Sequence, residues 1–191
     1  YAPREVTPLS VTTREGTLPN MVAPTQRVAS LMILGLFDRL QIETGEGYDH
    51  IHGLIEATKQ AFIKRNRDLG DPATMTADAQ TWLEAKALDN LAARIDMNRA
   101  LQWPYKPAEG DTIWMGAADR SGNVVSFIQS VYWEFGSGLT CPETGVFFQN
   151  RGAGFSLAEG PNQLQPGKRP FHTLNPALAK LADGRVMAYG T

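Results

Sequence analysis

A chain of 191 residues can bury one sizeable core, and its 42% hydrophobic and 20% charged residues are the proportions of an ordinary globular protein. A formal net charge of -2 leaves no basic footprint, so no nucleic-acid partner is expected. No apolar run approaches the roughly 18 residues of a membrane span, so no membrane partner is expected either, and a single cysteine excludes an internal disulfide.

In chain order, residues 26–40 are apolar on most sides (Val28, Leu31, Met32, Leu34, Leu36, Phe37), which predicts a deeply buried helix. Residues 48–69 carry Ile51, Leu54, Ile55, Thr58, Ala61 and Phe62 at helical spacing, with Lys59, Lys64, Arg65 and Arg67 elsewhere. Gly70-Asp71-Pro72 should end this helix, because Gly suits the position after the last turn and Pro cannot continue it. A third helix is predicted over 78–95, with Leu88, Leu91, Ala92 and Ile95 on one face.

The texture changes at Trp103. Residues 103–111 form a Pro-containing connector, exposed and extended by composition. Residues 112–118 and 124–132, around a turn at 119–123, read as a β-hairpin. With that turn centred on Ser121, Thr112 and Ser130 lie opposite each other, and opposed residues share a face with Cβ atoms about 4.5–5.5 Å apart. Further strands are expected at 145–149 and at 177–181 with 185–189. Helices followed by antiparallel strands indicate an α+β class or a layered sandwich. The absence of an initiator Met, and an end directly after a strand-like run, suggest an internal piece of a longer polypeptide.

Several tempting features have ordinary explanations. His50 and His52 are two apart at a helix start and do not share a face as a metal-binding i, i+4 pair would. Cys141, beside Pro142, has no His partner nearby and reads as an unreactive loop thiol. Gly136-Ser137-Gly138 does not precede a helix, so it is no phosphate cradle. No metal and no cofactor are expected.

The motifs Asp111-Thr112, Asp119-x-x-Gly122-Asn123-x-Val125-Ser126 and Phe135-Gly136-Ser137-Gly138 form one set. With them come 166–170 (Pro-Gly-Lys-Arg-Pro), Asn175-Pro176, and Leu69-Gly70-Asp71-Pro72. This set resembles the γ-glutamyltransferase family of N-terminal nucleophile hydrolases over nearly the whole chain. Thr25-Gln26 and the 171–176 run are most similar to its oxamate-amidohydrolase-like branch.

The resemblance implies a four-layer αββα sandwich, partial here, and a precursor that cuts itself between Asp111 and Thr112. Residues 1–111 would close the large subunit and 112–191 open the small one, both from one precursor. Thr112 would be the nucleophile. A Thr hydroxyl is weak until a base takes its proton, and a free α-amine with a pKa near about 8 can serve. That fits a chain with only three His, none placed as an obvious base. The family also has a hydroxyl residue bonded to the nucleophile at the position of Ser130, and an oxyanion-hole glycine pair that would lie beyond Thr191.

Departures from the family set the expected substrate. Where γ-glutamyl enzymes grip the amino-acid end with Asn, Gln and Asp, this chain has Tyr132, Arg151 and Gly154, and a paired Ser becomes His172-Thr173. Losing the Asp removes the counter-charge for an α-amine, and Arg151 adds a fork suited to a carboxylate. Tyr132, Arg151, His172 and Thr173 are therefore the candidate substrate-binding residues. The favoured activity is hydrolysis of a small anionic amide through an acyl-enzyme. Acyl transfer of the γ-glutamyl type, or an uncleaved, silent binding module, remain open alternatives. A cytoplasmic setting is favoured over a periplasmic one.

Overall fold

The computed structural model describes residues 3–105 and 112–190; Asp111 and the rest of 106–111 lie outside the described residues, as does Thr191. Strands β1 (Leu9–Thr13) and β2 (Gly16–Asn20) open the chain, followed by helices α1 (Arg27–Arg39) and α2 (Tyr48–Asp68). A 3-10 turn at Ala79–Leu83 and helix α3 (Ala85–Ala92) come next, then strands β3 (Ile113–Ala118), β4 (Val124–Gln129), β5 (Ala177–Leu181) and β6 (Val186–Tyr189). The class is mixed helix and sheet.

One antiparallel sheet has the order β1-β2-β5-β6, and β3-β4 form a separate hairpin. The pairing of Gly16 with Leu181 and Thr17 with Lys180 stitches the start of the chain to its end. A Cβ on Gly16, whose φ is +149°, would lie 2.2 Å from the Lys180 carbonyl, so only glycine allows this approach. Alternating side chains on β1 and β5 turn Leu9, Val11, Ala177 and Ala179 inward. There β1 meets α1, whose Val28, Leu31, Met32 and Leu36 are fully buried. Each such aliphatic side chain contributes about 1.5–3 kcal/mol by leaving water.

The first 20 residues hold a hairpin that the sequence reading did not place. Its turn, Arg14-Glu15, carries none of the Gly, Asn or Pro signals that announce one. Two other expectations need correction. The 78–95 helix is broken at Glu84, which is extended (φ −64°, ψ 146°). Residues 145–149 form no strand; Phe147 makes a single bridge to Thr140.

Helix α2 also buries a different face from the one its apolar spacing suggested. His52, Gly53, Glu56, Ala57, Gln60 and Ala61 are inside, whereas Ile51 and Ile55 are 49% and 48% exposed. The reason is proximity. A Cβ on Gly53 would come within 2.7 Å of Ile42 and 2.9 Å of Leu40, so the small face allows α2 to press against the end of α1. Gly70 likewise serves close approach: Leu69 has already left the helix at ψ 124°, and a Cβ on Gly70 would lie 2.2 Å from the Pro161 carbonyl.

Candidate active site

The β3-β4 hairpin has the expected register, from Ala118 opposite Val124 to Ile113 opposite Gln129. Its turn is closed by Asp119, whose carboxylate accepts from the Ser121 and Asn123 backbone N–H groups and from Asn123 Nδ2. Gly122 takes φ +85° there, a conformation that favours glycine. Thr112 and Ser130 each lie one residue past the last paired residues, Ile113 and Gln129. Thr112 is exposed and Ser130 half-buried. The Ser130 Oγ accepts from the backbone N–H of Tyr132 at 3.0 Å.

Tyr132 adopts φ +84°, a left-handed conformation that costs a bulky L-residue about 1–3 kcal/mol. Its ring lies 5.0 Å from the Arg151 guanidinium and stacks on Trp133 at 5.2 Å. The ring also fills the space a side chain at 154 would need: a Cβ on Gly154 would lie 3.1 Å from Tyr132 Oη. The three residues that depart from the γ-glutamyl pattern are therefore one packed cluster.

Arg151 is only 2% exposed and opens a 3-10 turn, Arg151–Gly154. Its backbone N–H donates to Gln149 Oε1 and its Nη1 to Thr173 Oγ1 at 3.0 Å. Its Nε is buried without a partner, and no ion pair among the described residues includes Arg151. Burial lowers its pKa below the usual guanidinium value. A buried cation served only by neutral groups pays a desolvation cost that an incoming anion would offset.

His172 lies beside this cation. Its Nδ1 accepts from the Leu174 N–H at 3.3 Å, which leaves Nε2 to carry the proton. Burial first, then the Arg151 and Arg27 charges, push its pKa down to about 4. At neutral pH His172 is an uncharged hydrogen-bond donor.

The 172–174 strip is held from the helical layer. Gln26 N–H donates to the His172 carbonyl at 2.8 Å, and Gln26 Nε2 to the Thr173 carbonyl at 2.7 Å. Arg27 Nε donates to the Leu174 carbonyl at 3.1 Å, and Arg65 Nη1 to Gln26 Oε1 at 2.8 Å. Behind them Asp71 binds Arg169 by Oδ2 to its backbone N–H at 2.8 Å and by Oδ1 to Nη2 at 3.0 Å. Burial alone would raise the Asp71 pKa, but these bonds outweigh it and hold the carboxyl at about 2. Motifs far apart in sequence, Leu69-Gly70-Asp71-Pro72 and the 166–170 run, meet through that pair.

Tyr132, Arg151 and Thr173 are thus in contact, with His172 adjacent and Ser130 tied to Tyr132; Asp111 lies outside the described residues. Gln26, Arg27 and Arg65 escaped the sequence reading as supporting residues. The hints were that Gln26 belongs to the Thr25-Gln26 signature and that Arg27 is a charge at the start of an otherwise apolar helix. A groove of about 500 Å³ between the hairpin and β6 contains none of the candidate residues and looks onto apolar groups such as Trp114 and Met187. Among the described residues, no group of three or more His, Cys, Asp or Glu could hold a metal. His52 instead uses Nε2 on the Asp96 carbonyl at 2.9 Å, and Cys141 donates to Glu143 at 3.1 Å.

Comparison with known proteins gives this arrangement its context. The oxamate amidohydrolase proenzyme of Klebsiella pneumoniae is 49% identical over 185 residues, 96% of this chain and 35% of that protein. The glutathione hydrolase-like YwrD proenzyme of Bacillus subtilis is 40% identical over 163 residues, 85% of this chain and 31% of that protein. The crystal structure of cephalosporin acylase from Bacillus halodurans superposes with a TM-score of 0.83 at 32% identity, covering 98% of this chain and 34% of the acylase. The chain therefore spans about a third of the length of these relatives. The gamma-glutamyltranspeptidase family model matches residues 1–191, and the chain belongs to that family of amide hydrolases and acyl-transferring enzymes.

Proposed function

We propose that the protein containing this chain is a self-processing amidohydrolase that uses Thr112 to cleave a small anionic amide through an acyl-enzyme. Self-cleavage before Thr112 frees an α-amine, which takes the hydroxyl proton as the oxygen attacks the amide carbonyl. Ser130, one residue past the end of the paired hairpin as Thr112 is, orients the hydroxyl. Residues 1–111 and 112–191 belong to the two products of one precursor, within a four-layer αββα sandwich. The β2–β5 pairing and the Gln26 bonds to 172–173 would hold those products together after the cut.

The observation that carries the substrate reading is Arg151, a buried guanidinium with an unpartnered Nε and no carboxylate partner among the described residues. A substrate carboxylate beside the scissile amide would give that nitrogen a partner, with Thr173 and neutral His172 as further donors. The oxamate amidohydrolase relative acts, by its name, on such a compound. Tyr132 occupies the space beside Gly154, where an amine-binding carboxylate would have to stand, which disfavours a γ-glutamyl donor.

The test compares oxamate with γ-glutamyl p-nitroanilide on processed full-length enzyme. Oxamate turnover should fall about 30- to 1,000-fold in Arg151→Gln, as expected on losing a partly desolvated charge-assisted pair. Self-cleavage should persist. Fast turnover of the γ-glutamyl compound with none of oxamate would put the transferase reading in its place.

A further inference from the structure

A stripe of α2 remains that the chemistry above does not use. Glu56 is 1% exposed, yet among the described residues its charge is met by only one side chain, Lys59, at 2.6 Å. The rest of their bonding capacity goes to a single residue far along the chain. Glu56 Oε2 accepts from the Leu101 N–H at 3.2 Å, and Lys59 Nζ donates to the Leu101 carbonyl at 2.6 Å. Leu101 belongs to no helix or strand, and its own side chain is 40% exposed. A buried ion pair is costly to assemble unless its remaining atoms are satisfied, and here both are satisfied by the two backbone groups of one linker residue.

The neighbours extend this grip in order. His52 holds the Asp96 carbonyl, Glu56 and Lys59 hold Leu101, and Phe62 packs on Trp103, which meets Tyr105 at 5.1 Å. Positions 52, 56, 59 and 62 are spaced three or four apart and so form one stripe, about 15 Å long. The linker therefore runs alongside α2 in the same direction, toward its C-terminal end. At that end the Arg65 guanidinium lies over the Phe62 ring at 3.7 Å and bonds Gln26, which in turn holds Thr173.

We infer that this stripe is a rail whose Glu56–Lys59 grip on Leu101 fixes the path of residues 96–105 and thereby governs the rate of self-cleavage before Thr112. The inference rests on the self-processing reading above. Glu56 and Lys59 act through the linker and touch no reacting atom, so they are positioning residues.

The experiment follows splitting of freshly made full-length precursor by mass spectrometry. Glu56→Gln and Lys59→Met should each split about 10- to 100-fold more slowly, the scale on which a small misplacement slows a positioned reaction. Lys59→Arg, which keeps a donor, should split near the unmutated rate. Once split, the Glu56→Gln enzyme should match the unmutated kcat and KM. Unchanged splitting in folded Glu56→Gln and Lys59→Met would overturn the rail. So would equal losses of splitting, turnover and melting temperature, which mark a merely structural pair. If Glu56→Gln does not fold, Lys59→Met and Trp103→Ala decide by the same criteria. An unmutated precursor that stays whole would sink the self-processing reading, and the rail with it. Normal splitting of unmutated protein with unaffected variants sinks the rail alone.

Discussion

The helical layer and the β3-to-171 region are built on opposite terms. In the first, Val28, Leu31, Met32 and Leu36 have no exposed surface, and short connections put α1 against both β1 and α2. In the second, Ile113, Phe135 and Leu157 are 66%, 84% and 87% exposed, and long irregular segments are held by turns and side-chain bonds to the backbone. Stability is concentrated in the first region. The residues proposed to handle substrate lie in the second or just past it, at Thr112, Ser130, Tyr132, Arg151, His172 and Thr173. Irregular backbone can be shaped around a ligand more readily than a packed helix, and a rigid layer behind it keeps that shape.

The largest expected effect falls on the chemistry. Thr112→Ala in the full-length precursor should stay uncut and lose at least about 10⁴-fold in amidase activity, because the proposed mechanism draws nucleophile and base from one residue. A Thr112→Ala precursor that still splits at this bond would point to an external protease.

The next effect tests the contrast directly. Leu31→Ala should destabilise the 191-residue chain by about 2–5 kcal/mol in denaturant unfolding, from lost transfer energy and a cavity. Phe127→Ala, on the exposed side of the hairpin, should change stability by about 0.5 kcal/mol or less. Equal losses would erase the difference between the two regions.

A smaller effect is expected where the regions join. Asp71→Asn should cost about 1–3 kcal/mol by weakening charge-assisted bonds to Arg169. The sign with pH follows from a folded pKa of about 2 against an unfolded value near about 3.9. The contribution is full above the unfolded value and is lost as pH falls toward about 2. Denaturant midpoints of the two proteins should therefore converge as pH falls toward about 2; a gap that stays constant with pH would mean that the carboxylate charge is irrelevant.

The smallest effect is on His172. Its imidazole NMR signals should titrate near pH 4, with no ionisation between about 5.5 and 8. Because the folded pKa is depressed, its contribution to stability is present above about 6.5 and declines as pH falls from there through about 4. A midpoint near 6.5 would place the ring in water and remove it from the Arg151 cluster.

Local order was legible in the sequence wherever one segment decided it. The α1 helix, both ends of α2 and the β5-β6 pair follow from apolar period and turn residues. The β3-β4 register follows from the Asp119-to-Asn123 turn, since a hairpin's turn sets which residues face each other. The expected pairing of Thr112 with Ser130 is the continuation of that register beyond Ile113 and Gln129, and Arg151 was noticeable as a charge where the family has an amide.

Only the tertiary structure decided the rest. Which face of α2 goes inside depended on how closely α1 could approach Gly53, a steric matter invisible to periodicity. The break at Glu84 and the isolated bridge at Phe147 likewise reflect packing partners rather than propensity. That Tyr132, Arg151 and Gly154 form one cluster, that Asp71 meets Arg169, and that Leu101 is held by Glu56 and Lys59 are contacts between residues up to 98 positions apart. A sequence states which groups are available. The burial that strips water from Arg151 and keeps His172 neutral arises only when distant segments close around them.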